Sequence, residues 1–499
     1  MNDIIFIKGQ GGLGRPLPGK DYVSGLLLYS ATLPSGFTSG DRIKQIFSLE
    51  QAEGLGITDT HIGETKATGE ITVTGAGVQG DTIETKVNNG TATISLGIAI
   101  VPATPTTTTV AVAIVDAINA GTLAHGYTAS NIAAVITLTA PAGSGIDANS
   151  FIISNVIVGT ATVGLVQFAG GVASTFDHFH YHISEFFRMQ PKGNLYVGIY
   201  AVPGAYTFAE IETMQNFAQG EIRQIGVYVT SVAFATSQVD SIQTQCSLLE
   251  TNKKPLNAIY QGDFSAVSDL ATLSNLRILT NKNVTVTLGQ DGANVGNQRF
   301  KALGKSIGSL GVTLGAVSFS SVAESIGWVG KFNAANTELD TLAFANGDVY
   351  RTLADSFITA IDLKGYVFLK KHQDINGSYF NDSYTSIAAS DDFSTIENNR
   401  TADKAIRGMR AILLPALSSP IKVNADGTLS EDSIGYFSSL AKRALEQMER
   451  DNELSAFSVT IDPLQDVLTT SKIVISVSIV PLGVARTIEV NVSFTTQIA

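Results

Sequence analysis

From about residue 174 to residue 385 the chain alternates β-branched runs with longer amphipathic ones, and few folds accept that order. NLYVGIYAV (194–202), QIGVYVTS (224–231), LNAIYQGDF (256–264) and NVTVTLGQD (283–291) read as strands. FAEIETMQNFAQG (208–220) and SQVDSIQTQCSLLETN (237–252) read as helices between them. Strands alternating with helices imply a mostly parallel sheet with covered faces. The full 499 residues exceed what one hydrophobic core organises, so several domains are expected.

The flanking segments differ in character. Residues 1–24 read as an N-terminal arm: Ile4, Ile5, Phe6 and Ile7 suit one short strand, and a glycine- and proline-rich stretch follows. Residues 25–66 return to a compact pattern, with LLLYSA (26–31, after Gly25) as a strand. SGDRIKQIFSLEQAEGLG (39–56) follows as one helix, capped near Ser39 or Asp41 and ending near Gly54. Over residues 67–173 charge nearly vanishes. GEITVTGA, TATISLGIAIV and AAVITLTAP read as strands and TTVAVAIVDAINAG as a helix, a small β-rich α+β domain looped into the larger one. Residues 386–499 form a C-terminal domain. DDFSTIENNRTADKAIRGMRAILLPAL is read as a long helix stopped before Pro415, and EDSIGYFSSLAKRALEQMERDNEL as a second. Two strands then close the chain. In the last, Ile488, Val490, Val492, Phe494 and Ile498 alternate with polar residues, period two. A strand there, in a terminal arm of about residues 486–499, is placed to pair with another chain. The fold class is therefore α+β and α/β, multidomain, with an inserted β-rich domain and extended terminal arms.

Composition narrows function. Charged residues make up 15% against the usual quarter, and the net charge is -12 with no basic run, so direct nucleic-acid binding is not expected. The single Cys246 rules out an intrachain disulfide and a cysteine-based zinc site. No signal peptide and no long apolar run are read, so synthesis and assembly in the cytoplasm are expected, without membrane insertion.

Each motif has a plain reading beside the chemical one. Gly9, Gly11 and Gly14 spell G-x-G-x-x-G after an apolar run, but Pro16, Pro18 and Gly19 follow where a phosphate-binding helix would have to start. His178, His180 and His182 share a face on a strand, and His178 with His182 on a helix. ISEFFRM continues as an amphipathic helix with no carboxylate in a ligand pattern, so packing is expected and no metal or other cofactor is assigned. Arg400, Lys404 and Arg407 lie at i, i+4 and i+7, either a solvated face with local ion pairs or a charged interface helix towards a subunit or tube. Asp391, Asp392 and Glu397 carry no local reason for a raised pKa, and no nucleophile or phosphate-loop motif is found. No catalytic residue is assigned and the chain is not read as an enzyme.

Three stretches resemble contractile phage tail sheath proteins. IDPLQDVLTTSKIVISVSIVPLGVARTIEVNVSFTTQI (461–498) is similar to the family's closing strand, proline-bearing turn and last strand, with Pro481, Arg486 and Ile488 in the matching places. GEITVTGA, VAVAIVDAINAG, YTAS, ITLTAPAGS and GIDAN resemble the inserted domain of Mu-like sheaths. LKGYVFLKKHQDINGSYFNDSYT and NNRTADKAIRGMRAILLPAL, with YHISEFFRMQPKGNLYVGI, look like an uncharacterised tail-sheath-like family of phages and prophages. The resemblance implies a subunit that stacks as hexameric rings around a tail tube and lends its terminal arms as strands to neighbours. It further implies contraction that drives the tube through an envelope. Residues 67–173 would sit on the outer surface, residues 25–66 and 174–385 would form the sheath core, and the particle would be a virion tail. The implied partners are other copies, the tube protein, and baseplate and terminator proteins. A baseplate or surface-layer subunit is the alternative, and an α/β enzyme a more distant one.

Overall fold

The fold is known from a computed structural model, which describes residues 19–59, 65–90, 92–141, 144–145, 147–172 and 176–494. Ile4, Ile5, Phe6 and Ile7, the Gly9–Gly14 motif and Ile498 lie outside the described residues.

β1 (Val23–Tyr29) is buried along its whole length and starts inside the stretch read as an arm. Val23 and Leu27 face one hydrophobic core, Leu26 and Leu28 another. A strand apolar on both faces needs a layer on each side. Residues 39–56, expected as one helix, divide into β2 (Ile43–Ile46) and α1 (Leu49–Gly54). Ile43 and Ile46 are spaced as on a helix face, but the edge of the central sheet is open to them. They pair there antiparallel, with Gly198 and Leu195. The helix starts late, at Ser48, whose Oγ accepts from the Gln51 amide at 3.4 Å.

The chain then departs and returns through one bridge. The Thr65 amide donates to the Val172 carbonyl at 3.1 Å, and the Val172 amide to that of Thr65 at 2.9 Å. Between them lie β3 (Thr68–Gly75), β4 (Thr82–Asn88), β5 (Thr93–Ile100), α2 (Thr107–Ala120) and the single turn α3 (Thr122–His125). β6 (Thr128–Ile132), β7 (Val135–Thr139), β8 (Ile152–Val158) and β9 (Thr162–Ala169) complete the lobe. The strands make two antiparallel sheets, β6–β7–β3–β9 and β5–β4–β8. Val110, Ile114 and Ile118, at helical spacing on α2, pack with Ile71, Leu96, Ile136 and Ile153 in a core of their own.

The main sheet resumes with α4 (Asp177–Met189), β10 (Asn194–Tyr200), α5 (Glu210–Phe217), β11 (Gln224–Ala233), α6 (Thr236–Thr251) and β12 (Asn257–Asp263). After the short β13 (Thr280–Asn281) comes β14 (Val284–Val286). The six-stranded order is β14–β12–β11–β1–β10–β2, parallel except for β2. Residues of α5 and α6 cover one face. Beyond β15 (Gly289–Asp291) and α7 (Val295–Leu303), α8 (Leu310–Phe319) joins α4 on the other. Short ladders finish this body. β15 pairs with β16 (Leu342–Phe344), and, after α9 (Asp355–Leu363), β17 (Leu369–His372) pairs with β18 (Ile375–Phe380) and β13 with β19 (Ser386–Ile387).

The C-terminal part is built from α10 (Ile396–Leu413), α11 (Glu431–Arg450) and the hairpin of β20 (Leu454–Thr460) with β21 (Ser476–Pro481). The second helix stops at Arg450, and the residues after Asn452, read as its end, turn into β20. The architecture is mixed α/β and multidomain.

Candidate functional site

The hairpin and the segment behind it form the most unusual surface. Among the described residues β20 and β21 make a sheet of two strands. Phe457, Val459, Val477 and Ile479 lean from it onto the small core of Ala405, Leu445 and Met448. After Pro481 the chain stays out of regular structure to residue 494. Ile488 is 79% exposed, Val490 73%, Val492 84%, and Phe494 is fully exposed. Large alternating side chains in water, without a paired strand, are the reverse of what a single chain favours: burying each is worth about 1.5–3 kcal/mol.

The root of that segment is held firmly. Arg486 Nε donates to Asp382 Oδ2 at 2.7 Å and Oδ1 at 3.1 Å, and its Nη2 donates to Glu397 Oε1 at 2.5 Å. Both carboxylates are buried, and the Ser383 hydroxyl donates to Glu397 Oε2 at 2.5 Å. Burial alone would lower the Arg486 pKa; the hydrogen bonds and charges of Asp382 and Glu397 outweigh it and raise it.

The charged stripe of α10 faces inward. Arg400 is buried, and its Nη1 donates to Ser320 Oγ at 2.7 Å and to the Ser321 carbonyl at 3.1 Å. Its Nη2 reaches the Asp21 carbonyl at 3.2 Å. Lys404 Nζ lies 2.7 Å from Asp21 Oδ2 and 2.5 Å from Glu453 Oε1, and Arg407 Nη2 lies 3.4 Å from Asp21 Oδ1. Burial pulls Arg400 down to about 10 despite Asp21. The stripe therefore neutralises groups of its own chain, and Arg400 is enclosed rather than solvated. Helical spacing revealed the shared face but not which partner covers it.

The three histidines sit on α4, all buried. His178 and His182 pack their rings on Tyr228, 5.6 Å and 4.5 Å between centroids, while His180 Nε2 meets Glu53 Oε1 at 2.9 Å. Burial lowers both His178 and His182 to about 3, helped by Arg299 for the first and by His178 for the second. Among the described residues no group of three metal-ligating side chains comes together. Cys246 is buried on α6.

Sheets wound this way take ligands beyond the C-terminal strand ends, where the winding reverses. Here that place is filled. The Tyr29 ring at the end of β1 meets Tyr206 edge-on at 4.9 Å, Tyr206 stacks on Phe208 at 5.5 Å, and the Tyr29 hydroxyl donates to Glu210 at 3.1 Å. Beside them Phe234 stacks on Phe264 at 4.5 Å. Among the described residues no helix is long and apolar enough to cross a membrane.

Fold and surface together define a multidomain α/β chain that presents an extended segment, exposed and unpaired among the described residues. The chain belongs to the DUF2586 family: residues 1–384 match the DUF2586 N-terminal domain and residues 392–499 the DUF2586 C-terminal domain. No curated protein matches the sequence. Among solved structures it is similar to the helical sheath of the anti-feeding prophage (AFP) in the contracted state, at 15% identity and TM-score 0.45, over 66% of this chain and 84% of that one. It is also similar to a chain of the six-fold symmetrised AFP baseplate, at 14% and 0.42 over 64% and 80%. A third is the contracted PVC sheath complex of an extracellular contractile injection system, at 13% and 0.43 over 64% and 81%.

Proposed function

We propose that this chain is a structural subunit of a contractile tail sheath, without a catalytic role. It polymerises as stacked rings around a tail tube and shortens to drive the tube through a cell envelope. The observation that carries this reading is the segment 484–494, extended, exposed and alternating in Ile488, Val490, Val492 and Phe494, beside a two-stranded sheet with room at its edges. An extended segment added to a sheet edge gains backbone hydrogen bonds, and its alternate side chains supply specificity. One donor segment and one acceptor hairpin per chain make a head-to-tail contact, which propagates into rings or helical tubes. The resemblance of residues 461–498 to sheath C-termini supports the same reading, and the ring-filled strand ends agree with a scaffold role.

The partners in this reading are other copies of the chain, a tube protein, and baseplate and terminator proteins. The finished particle is a tail assembled in the host cytoplasm. Residues 4–7 are proposed as a second lent strand. The test is negative-stain electron microscopy of the purified chain at rising concentration, alone and with a tube to assemble on. Hollow cylinders with a regular axial repeat are expected. The double variant Val490→Pro, Val492→Pro removes ladder donors, so it is expected to stay folded and form no cylinders. Normal cylinders from that variant overturn the lent-strand reading. Flat sheets or small closed rings from the native chain assign it instead to a surface-layer or baseplate role.

A further inference from the structure

The ends of the described chain depart from one helix. Glu397, Arg400, Lys404 and Arg407 follow at i, i+3, i+7 and i+10, so they line a single stripe of α10. Its first residue grips the root of the C-terminal segment: Glu397 takes Arg486, with Asp382 closing the other side. The next three grip the root of the N-terminal segment. Arg400 reaches the Asp21 carbonyl, while Lys404 and Arg407 hold the Asp21 carboxylate. Gln224 Nε2 adds a contact to that carbonyl at 3.2 Å. Asp21 lies 379 residues from Arg400 in sequence, so chain connectivity does not explain the meeting. At 1.5 Å per residue, Glu397 and Lys404 stand about 10 Å apart along the axis.

We infer that α10 is a yoke: a rigid bar to which both terminal segments are tied at their roots, one by an Arg486 fork on paired carboxylates, the other by an Asp21 carboxylate in a basic cradle. An arginine fork on two carboxylates fixes direction as well as position, because guanidinium and carboxylate meet in a plane. A tie through Asp21 alone, with both backbone and side chain held, likewise leaves little rotational freedom. Lys404 also contacts Glu453 in the turn before β20, so the acceptor hairpin hangs on the same helix. Displacing α10 thus moves two donor roots and one acceptor together. That mechanical consequence rests on the lent-strand reading; the tie itself does not, and is measured on the unassembled full chain.

The experiment uses spin labels and pulsed distance measurements. Cys246 is buried and stays unlabelled. One pair joins Lys20→Cys to Thr244→Cys on α6, the other joins Ala485→Cys to the same body site. Narrow distance distributions are expected for both pairs. Glu397→Gln or Arg486→Gln is expected to broaden only the 485 pair, and Lys404→Met or Asp21→Asn only the 20 pair. Arg486→Lys, which keeps the charge and loses the fork, is the second variant should Arg486→Gln fail to fold, and is expected to broaden the 485 pair part-way. Unchanged widths in these variants overturn the yoke, as do broad distributions in the unsubstituted background. If the widths respond as expected and the native chain forms no cylinders, the tie stands and the sheath reading falls.

Discussion

Asp403 is a buried carboxylate with one neutral partner, the Asn257 amide at 3.2 Å. Burial raises its pKa to about 6, opposed by Arg407 and assisted by Glu250. A carboxyl whose pKa is higher in the fold than in the unfolded chain favours folding when protonated. That contribution is fully present below pH 3.8 and is lost as pH rises through about 6. Asp403→Asn keeps an acceptor for Asn257 and removes the charge. At pH 8 it is expected to stabilise the chain by about 2–3 kcal/mol, at about 1.4 kcal/mol per pKa unit. Near pH 4 the gain should vanish. Urea titrations of both proteins at the two pH values decide this, and an equal gain at both would show that the charge is not the cause. Sequence made only half of this visible. The spacing of Arg400, Asp403, Lys404 and Arg407 marked a helix bearing charge. Whether that charge met solvent, a neighbour or Asp21 depended on a contact across nearly the whole chain, which local spacing does not encode.

Elements differed in legibility for a physical reason. α2, α5 and α11 bury one face, so their apolar residues recur at helical spacing and could be read. α8 is buried along all but its last residue, so LGVTLGAVSF has no period to read and went unassigned. Its glycines are the signal that was available. A Cβ at Gly311 would stand 2.2 Å from the His182 carbonyl oxygen, and one at Gly315 2.7 Å from that of Phe186, so α8 packs on α4 at a distance only glycine permits. Gly311→Ala is therefore expected to destabilise the chain by about 1–3 kcal/mol through overpacking. Gly435→Ala, in α11 with nothing within 4 Å of the new Cβ, should stabilise by about 0.5–1 kcal/mol. Opposite signs in thermal melts are the expected outcome; a Gly311→Ala protein as stable as the native chain would mean that α8 and α4 do not depend on close approach. β2 was misread because two isoleucines three apart fit a helix as well as an edge strand. The hairpin strand β20 was missed because its residues half-bury only against α10 and α11, a tertiary fact. The last strand read from sequence stays unpaired through residue 494 among the described residues, since a strand forms only where a neighbouring strand takes up its backbone hydrogen bonds.

At the scale of the molecule, the lobe between Thr65 and Val172 is set apart by its connections more than by its sequence. Its entry and exit residues hydrogen-bond to each other, so removing the lobe leaves two ends about 5.5 Å apart, a span a tight turn closes. Its core is separate from the two cores that flank the main sheet. Among the described residues one charged tie crosses back: Arg299 Nη1 donates to Asp147 at 3.0 Å, while its Nη2 donates to Asp177 of the main body at 3.2 Å. Excision leaves Arg299 with Asp177, so the buried guanidinium is not stranded, a loss that would otherwise cost about 3–5 kcal/mol. Replacing residues 66–171 by a short glycine–serine turn is thus expected to give a folded main body whose melting differs little from that of the full chain. The excised lobe, expressed alone, is expected to fold with its own cooperative transition. Because the hairpin, the segment 484–494 and α10 lie wholly outside the lobe, the shortened chain should still form cylinders of unchanged axial repeat and smaller outer diameter. An insoluble main body would mean that the lobe completes the core rather than decorating it. A folded body that no longer polymerises would move the subunit contact from the C-terminal segment to the lobe, and the proline variants at Val490 and Val492 would then leave assembly intact.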